Sequence, residues 1–202
     1  MSRLLIYYAH PGHRHSRSNK AMLAEARRVS GVTIVDLYAE YPRFDIKIDV
    51  EQQRLLDHEV ILFQYPMFWY STPSILKEWQ DLVLESGFAY GANGEKLKGK
   101  YLMLAVTVAG STEAYTDHGY QHYPVRTFLT PLERTARLCH MEFPAPYVLF
   151  SSLRAVDDGR LAAHVAGYGR LIESIRDDRF DFAAAIRRNL LDYDHLPILE
   201  EA

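Results

Sequence analysis

The residues best able to do chemistry gather in one short stretch, "YYAHPGHRHSRSNKAML", Tyr7 to Leu23. It holds three histidines, two arginines and one lysine, with no carboxylate. Ser16, Ser18 and Asn19 add two hydroxyls and an amide. Three chemistries would use such a set: a metal site, a nucleic-acid contact, or a pocket for a small anion such as phosphate. A metal needs convergent ligands, with carboxylates or thiolates arriving from elsewhere. His10, His13 and His15 instead crowd one loop beside the cations. A nucleic-acid binder carries its basic excess over a whole face, whereas the formal net charge here is −3. The anion reading uses every group present: amides at a helix N-terminus, small donors and surrounding cations. Ser18 or Asn19 could simply cap the helix, and a phosphate can use the donors that a cap leaves free. Neither a GxxxxGKS/T loop nor a GxGxxG after a strand occurs, which argues against nucleoside-triphosphatases and ordinary dinucleotide-binding enzymes.

Two further stretches carry chemistry. In "YPMFWYSTP", Tyr65 to Pro73, the aromatics Phe68, Trp69 and Tyr70 are consecutive. Three neighbours cannot all face one core, so at least one is expected to meet solvent or a flat ligand held by stacking. In "TVAGSTEAYTDHGYQHYP", Thr107 to Pro124, the small residues Ala109 and Gly110 permit close backbone approach. Tyr115, Tyr120, Tyr123, His118 and His122 follow. A Tyr–His pair at a pocket can donate a proton or stabilise a developing anion, although polar aromatics in a loop are often merely surface.

The elements that must position these loops follow from periodicity. Residues 3–9 form the continuous apolar run of a strand covered on both faces. Helical spacing spans 18–29, and the β-branched run 32–38 reads as a second strand. A short helix with an acidic cap is expected over 49–58, a strand over 59–65, and a helix with Pro at its start over 73–86. Residues 100–110 read as a strand ending in small residues, and 125–139 as a helix that Pro131 either kinks or begins. A last strand is expected over 145–150 and a last long helix over 159–177. This alternation predicts an α/β fold, a five-stranded parallel sheet with helices on both faces. Such sheets bind ligands beyond the carboxyl ends of their strands, and the three unusual loops follow strands one, three and four.

The whole chain sets bounds on these readings. Its 202 residues, 48% hydrophobic and 24% charged, suit one globular domain with a real core. The single cysteine, Cys139, offers no disulfide and no metal-binding pair, which suits a reducing compartment. The early apolar run is too short for a signal peptide or a membrane span, so a soluble, cytoplasmic protein is expected. The last residues, "RFDFAAAIRRNLLDYDHLPILEEA", stay apolar to the end and are expected to dock on something.

Together, "YYAHP…SRSN", "QYPMFWYSTPSILKEWQDLV", "GFAYG" and "AVTVAG…Y…H…P" resemble the flavodoxin-like NAD(P)H:quinone reductases. "LYAEYPRFDIKID" followed by "EQQRLL" is most similar to the short members that serve as ancillary proteins of glutathione-gated potassium-efflux systems. The resemblance covers roughly the first 150 residues. It implies the strand order 2-1-3-4-5, with a flavin-binding domain over residues 1–178 and an extension over 179–202 that docks on the domain or on a partner subunit. It implies FMN, with FAD as the alternative, and NADH or NADPH as hydride donor to a quinone in a two-electron ping-pong reaction. His10, Ser16, Arg17, Ser18 and Asn19 would hold the phosphate. Met67, Phe68, Trp69 and Tyr70 would border the isoalloxazine, and Thr107, Val108, Ala109 and Gly110 its far edge. Tyr115 and His122 match the family's catalytic Tyr/His pair, with His118 the weaker candidate. No metal and no nucleic acid are implied; a homodimer is. A potassium-efflux transporter is a further implied partner, holding the protein at the inner membrane and leaving it little or no turnover. The family's Thr-Thr-Gly-Gly is Thr-Val-Ala-Gly here, so Ala109 narrows that loop's freedom. A one-electron flavodoxin-like carrier is the remaining alternative, and it would need neither Tyr115 nor His122.

Overall fold

The computed structural model describes residues 2–200. Five strands, β1 (Leu4–Tyr8), β2 (Thr33–Asp36), β3 (Val60–Pro66), β4 (Tyr101–Thr107) and β5 (Tyr147–Leu149), pair in parallel in the order β2-β1-β3-β4-β5. This is the doubly wound arrangement expected of the sequence. Alternate residues of a strand face opposite sides, and both sides of this sheet are covered. Leu5 and Tyr7 join one apolar cluster with α3 (Ile48–Leu56), α4 (Ser74–Val83) and α6 (Thr130–Leu138). Leu4 and Ile6 join the other with α1 (Ser18–Ala26) and α7 (Arg160–Arg176). Each fully buried large apolar side chain contributes about 1.5–3 kcal/mol, and the central strands are apolar on both sides for that reason.

Several boundaries differ from the periodicity, each for a local reason. The second strand stops at Asp36 because that carboxylate accepts the Ala39 amide at 3.3 Å and opens the short helix α2 (Leu37–Glu40). Helix α3 begins at Ile48 behind Lys47, which makes no side-chain cap, so the expected acidic cap is absent. Asp49 and Glu51 lie in its first turn, and Glu51 turns inward. That carboxylate is fully buried and accepts from Tyr7 Oη at 2.5 Å, Tyr41 Oη at 2.6 Å, Trp79 Nε1 at 2.9 Å, and Arg54. It thereby ties β1, α3 and α4 together, and such a charge is tolerated only because it is paired and hydrogen-bonded. The chain breaks at Leu129 between α5 (Val125–Phe128) and α6, with Pro131 in the first turn of α6. Proline thus begins a helix here rather than kinking one.

Beyond α7 and the short α8 (Phe182–Ile186), the tail lies along its own chain. Leu191 bridges Tyr147, and its amide donates to Pro146 O at 2.9 Å. Gly167 of α7 makes room for Tyr193, since a Cβ there would stand 2.4 Å from that side chain. Residues 201 and 202 of the expected extension lie outside the described residues. Among the described residues, no helix is long and apolar enough to cross a membrane.

Candidate functional site

A cavity of about 370 Å³ opens beyond the carboxyl ends of β1, β3 and β4. His10, Ser16, Arg17, Ser18, Asn19, Phe68 and Thr107, all singled out in the sequence, line it together. Gly12, His15, Pro66, Ser152 and Leu153 complete the lining, and the sequence reading assigned none of them to the site. The only signal for Ser152 was two serines just past the last strand, in a loop of ordinary composition. Its carbonyl is anchored by Ser18 Oγ, which donates to it at 2.9 Å. His15 lies on the lining, whereas His13 is engaged with Tyr8 Oη at 2.8 Å.

The cradle is built from the start of α1. That helix has no side-chain N-cap and no acidic residue in its first turn, so its first amides face outward as unpaired donors of the kind an anion completes. Arg17 stands beside them and pairs with Asp157 at 3.4 Å, both side chains being exposed. His10 accepts the Gly12 amide on Nδ1 at 3.1 Å, which leaves Nε2 as its donor nitrogen. Burial and the neighbouring His13 push the His10 pKa below the usual histidine value, so the ring is neutral at pH 7.

Beneath the cavity a buried relay fixes the geometry. Tyr168 Oη donates to Gln64 Oε1 at 3.1 Å, Gln64 Nε2 to Asn19 O at 2.9 Å, and Asn19 Nδ2 to Thr107 Oγ1 at 2.7 Å. All four residues are buried, so each bond is strong and each broken one costly. The relay locks α1, β3, β4 and α7 in register under the cradle. Asn19 Oδ1 is buried and has no partner among the described residues.

The remaining candidates stand elsewhere. Met67 is in the core, its amide donating to Thr107 O at 2.9 Å. Trp69 and Tyr70 close a tight turn with φ of 48° and 63°, and Ser71 N returns to Phe68 O at 3.0 Å. Side chains other than glycine or asparagine rarely adopt such angles. Trp69 is 93% exposed, and Tyr70 stacks on Phe128 with centroids 5.0 Å apart. Val108 is buried with its amide on Leu149 O, and Ala109 is exposed. Gly110 is small because the Tyr115 ring occupies the space of its missing Cβ, at 2.9 Å. Tyr115 packs edge-on against Phe128, and burial with the nearby Tyr70 raises its pKa, so its hydroxyl stays protonated. His122 is exposed with φ 58°, and among the described residues no hydrogen bond joins it to Tyr115. Among the described residues, no group of three or more His, Cys, Asp or Glu is placed to hold a metal ion.

Residues 2–172 match the family described as having a flavodoxin-like fold. The chain belongs to that family. Over 172 residues it is 40% identical to the glutathione-regulated potassium-efflux system ancillary protein KefG of Yersinia enterocolitica, covering 85% of this chain and 93% of that protein. General stress protein 14 of Treponema denticola, solved in complex with FMN, is 30% identical with a TM-score of 0.79, covering 86% of this chain and 99% of that one. An enzyme described as a thermophilic tryptophan halogenase from Streptomycin violaceusniger has the same TM-score of 0.79 at 36% identity, covering 81% and 95%. An NADPH-quinone reductase from P. pentosaceus, at 24% identity and TM-score 0.72, covers 84% and 97% and shares the fold. One fold thus carries several named activities, and the function must be argued from the site.

The donor set fits a phosphate monoester: free helix amides, a guanidinium, small hydroxyls and no carboxylate on the lining. The unpartnered Asn19 Oδ1 calls for a hydroxyl or amide donor from the same ligand. A group that is phosphate at one end and carries hydroxyls next to it meets both demands.

Proposed function

We propose that the chain is an FMN-dependent NAD(P)H:quinone oxidoreductase in which donor and acceptor take turns at one cleft. The observation that carries the reading is the cradle itself, an uncapped helix start with Arg17, Ser16 and Ser18 beside an unpartnered Asn19 acceptor. The FMN complex of the 30%-identical Treponema denticola protein supports it. When bound, FMN would supply the two-electron chemistry, taking hydride from NADH or NADPH and passing electrons to a quinone. His10, Ser16, Arg17, Ser18 and Asn19 bind the phosphate end. Phe68 and Thr107 flank what extends from it, and the backbone of Val108, Ala109 and Gly110 borders the ring. Trp69 and Tyr70, displayed on their tight turn, offer stacking surface to a flat substrate. Tyr115 holds its proton and can donate a hydrogen bond to negative charge, with His122 on the same loop as its outer partner. The cleft is completed by a second copy of the chain in a homodimer.

The likeness to KefG favours a second reading that is compatible with the first. In it the chain is an ancillary subunit of a glutathione-regulated potassium-efflux transporter, at the inner membrane through that partner, with weak turnover or none. Co-purification with such a transporter in mild detergent is the measurement, and no association would remove this reading.

The enzyme reading predicts a yellow protein whose spectrum shows bound flavin and which oxidises NADH or NADPH only when a quinone is supplied. A colourless protein that takes up no FMN overturns it. Tyr115→Phe and His122→Gln are expected to lower quinone turnover on the order of 10²-fold while FMN affinity stays unchanged. Parallel loss of both would show that these two residues support binding instead.

A further inference from the structure

A second cavity, of about 140 Å³, lies on the other side of the Phe68–Ser71 turn, between α4 and the junction of α5 with α6. It shares no lining residue with the phosphate cradle. Tyr65, at the end of β3, contributes to its lining. The Tyr65 side chain is fully buried, and its hydroxyl has no partner among the described residues. A buried hydroxyl without a hydrogen bond is costly and calls for an explanation. Aromatic and aliphatic walls come from Tyr70, Phe128, Leu129 and Leu132. Polar side chains line it as well: Gln80, Thr135 and Lys77 are engaged with Leu76 O, Pro131 O and Asp81, and Ser71 and Thr72 add two hydroxyls.

Size and polarity together narrow the occupant. A volume near 150 Å³ is the size that takes up a single benzene ring, and the hydroxyls among the aromatic and aliphatic walls suit a ring that carries a hydroxyl of its own. We propose that this cavity is a binding site for a neutral six-membered ring bearing one hydroxyl, a phenol, hydrogen-bonded to Tyr65 Oη. The Tyr65 hydroxyl can donate to the phenol oxygen or accept from the phenol O–H. Burial drives its pKa upward, so it keeps the proton it would donate. The site does not depend on the flavin reading. It does adjoin that machinery, because Tyr70 and Phe128 form its wall and Phe128 meets Tyr115 edge-on at 5.8 Å.

The test is a titration of the full chain with phenol and with benzene, by ligand-observed NMR or calorimetry, with and without FMN. Phenol is expected to saturate one site in the millimolar range, as befits so small a ligand, and benzene to bind about fivefold to tenfold more weakly. Tyr65→Phe loses no existing hydrogen bond and should fold as well as the parent, while phenol falls to the level of benzene. Thr135→Leu, which places a branched aliphatic group in the cavity, should abolish both. Absence of saturable phenol binding overturns the proposal. So does an unchanged preference for phenol in Tyr65→Phe, or complete displacement of phenol by FMN, which would place it in the flavin cleft. A chain that binds phenol in this way but takes up no FMN would sustain this site while removing the flavin reading.

Discussion

At the scale of single residues, Arg17 separates a structural from a binding role. Its ion pair with Asp157 joins two exposed side chains at 3.4 Å, and exposed pairs contribute at most about 1 kcal/mol. A guanidinium on a phosphate in a cleft contributes about 1.5–3 kcal/mol. Arg17→Ala is therefore expected to weaken FMN binding about tenfold to a hundredfold with little change in melting temperature. Asp157→Ala should leave FMN affinity intact or improve it, since it frees Arg17. Fluorescence titration of both variants decides the matter, and equal weakening by the two would mean that the ion pair, rather than the phosphate, is what Arg17 serves. His10 illustrates why residue type alone misleads. In the sequence it looks like a metal ligand, yet its Nδ1 is occupied by the Gly12 amide and it sits among cations.

At the scale of elements, the sheet was legible because burial on both faces writes itself as unbroken apolar runs, as in Val60–Pro66. The same logic failed at the second strand, where Asp36 caps a helix inside a β-branched run. That His10 and residues 16–19 would meet at one cavity was legible because a cationic, carboxylate-free loop stands between the first strand and its helix. The loop after β5 was not legible, since Ser152 and Leu153 reach the cavity through bonds from Ser18 to Ser152 O and from Ser152 N to Val108 O that no spacing encodes. The Phe68–Ser71 turn carries the clearest functional mark at this scale. Two successive bulky residues with positive φ cost on the order of 1 kcal/mol or more each, and the turn spends that strain on exposing Trp69 at 93%. Trp69→Asn suits the left-handed conformation and removes no buried contact. It is expected to stabilise the protein by up to about 1 kcal/mol while lowering quinone reduction. Thermal melts and steady-state kinetics on the same preparation check both halves. A variant that is stabilised yet fully active would show that the indole serves something other than the substrate.

At the scale of the whole molecule, acid stability reports on the buried interior between α7 and the sheet. His164 is buried, stacks on Tyr147 with centroids 4.3 Å apart, and has an Nε2 without a partner among the described residues. Burial, with Arg160 adding to it, lowers its pKa to about 3. An unfolded chain binds that proton near pH 6.5. The folded state thus holds fewer protons between those limits. Its stability is complete above about pH 6.5 and falls as the pH drops toward 3, by up to about 1.4 kcal/mol per unit. His10, lowered in the same direction, adds to the upper part of that window. The carboxylates held low by ion pairs, such as Glu59 by Arg3 and Glu133 by Arg137 and Arg126, lose their contribution only as pH falls below the ordinary carboxylate range. The interval from about pH 6.5 to 4.5 therefore belongs mainly to the histidines. Urea denaturation across it should show the slope in the parent chain, and a shallower one in His164→Phe, which keeps a ring against Tyr147. An equal slope in the two would mean that His164 gains its proton within the fold, through water reaching α7.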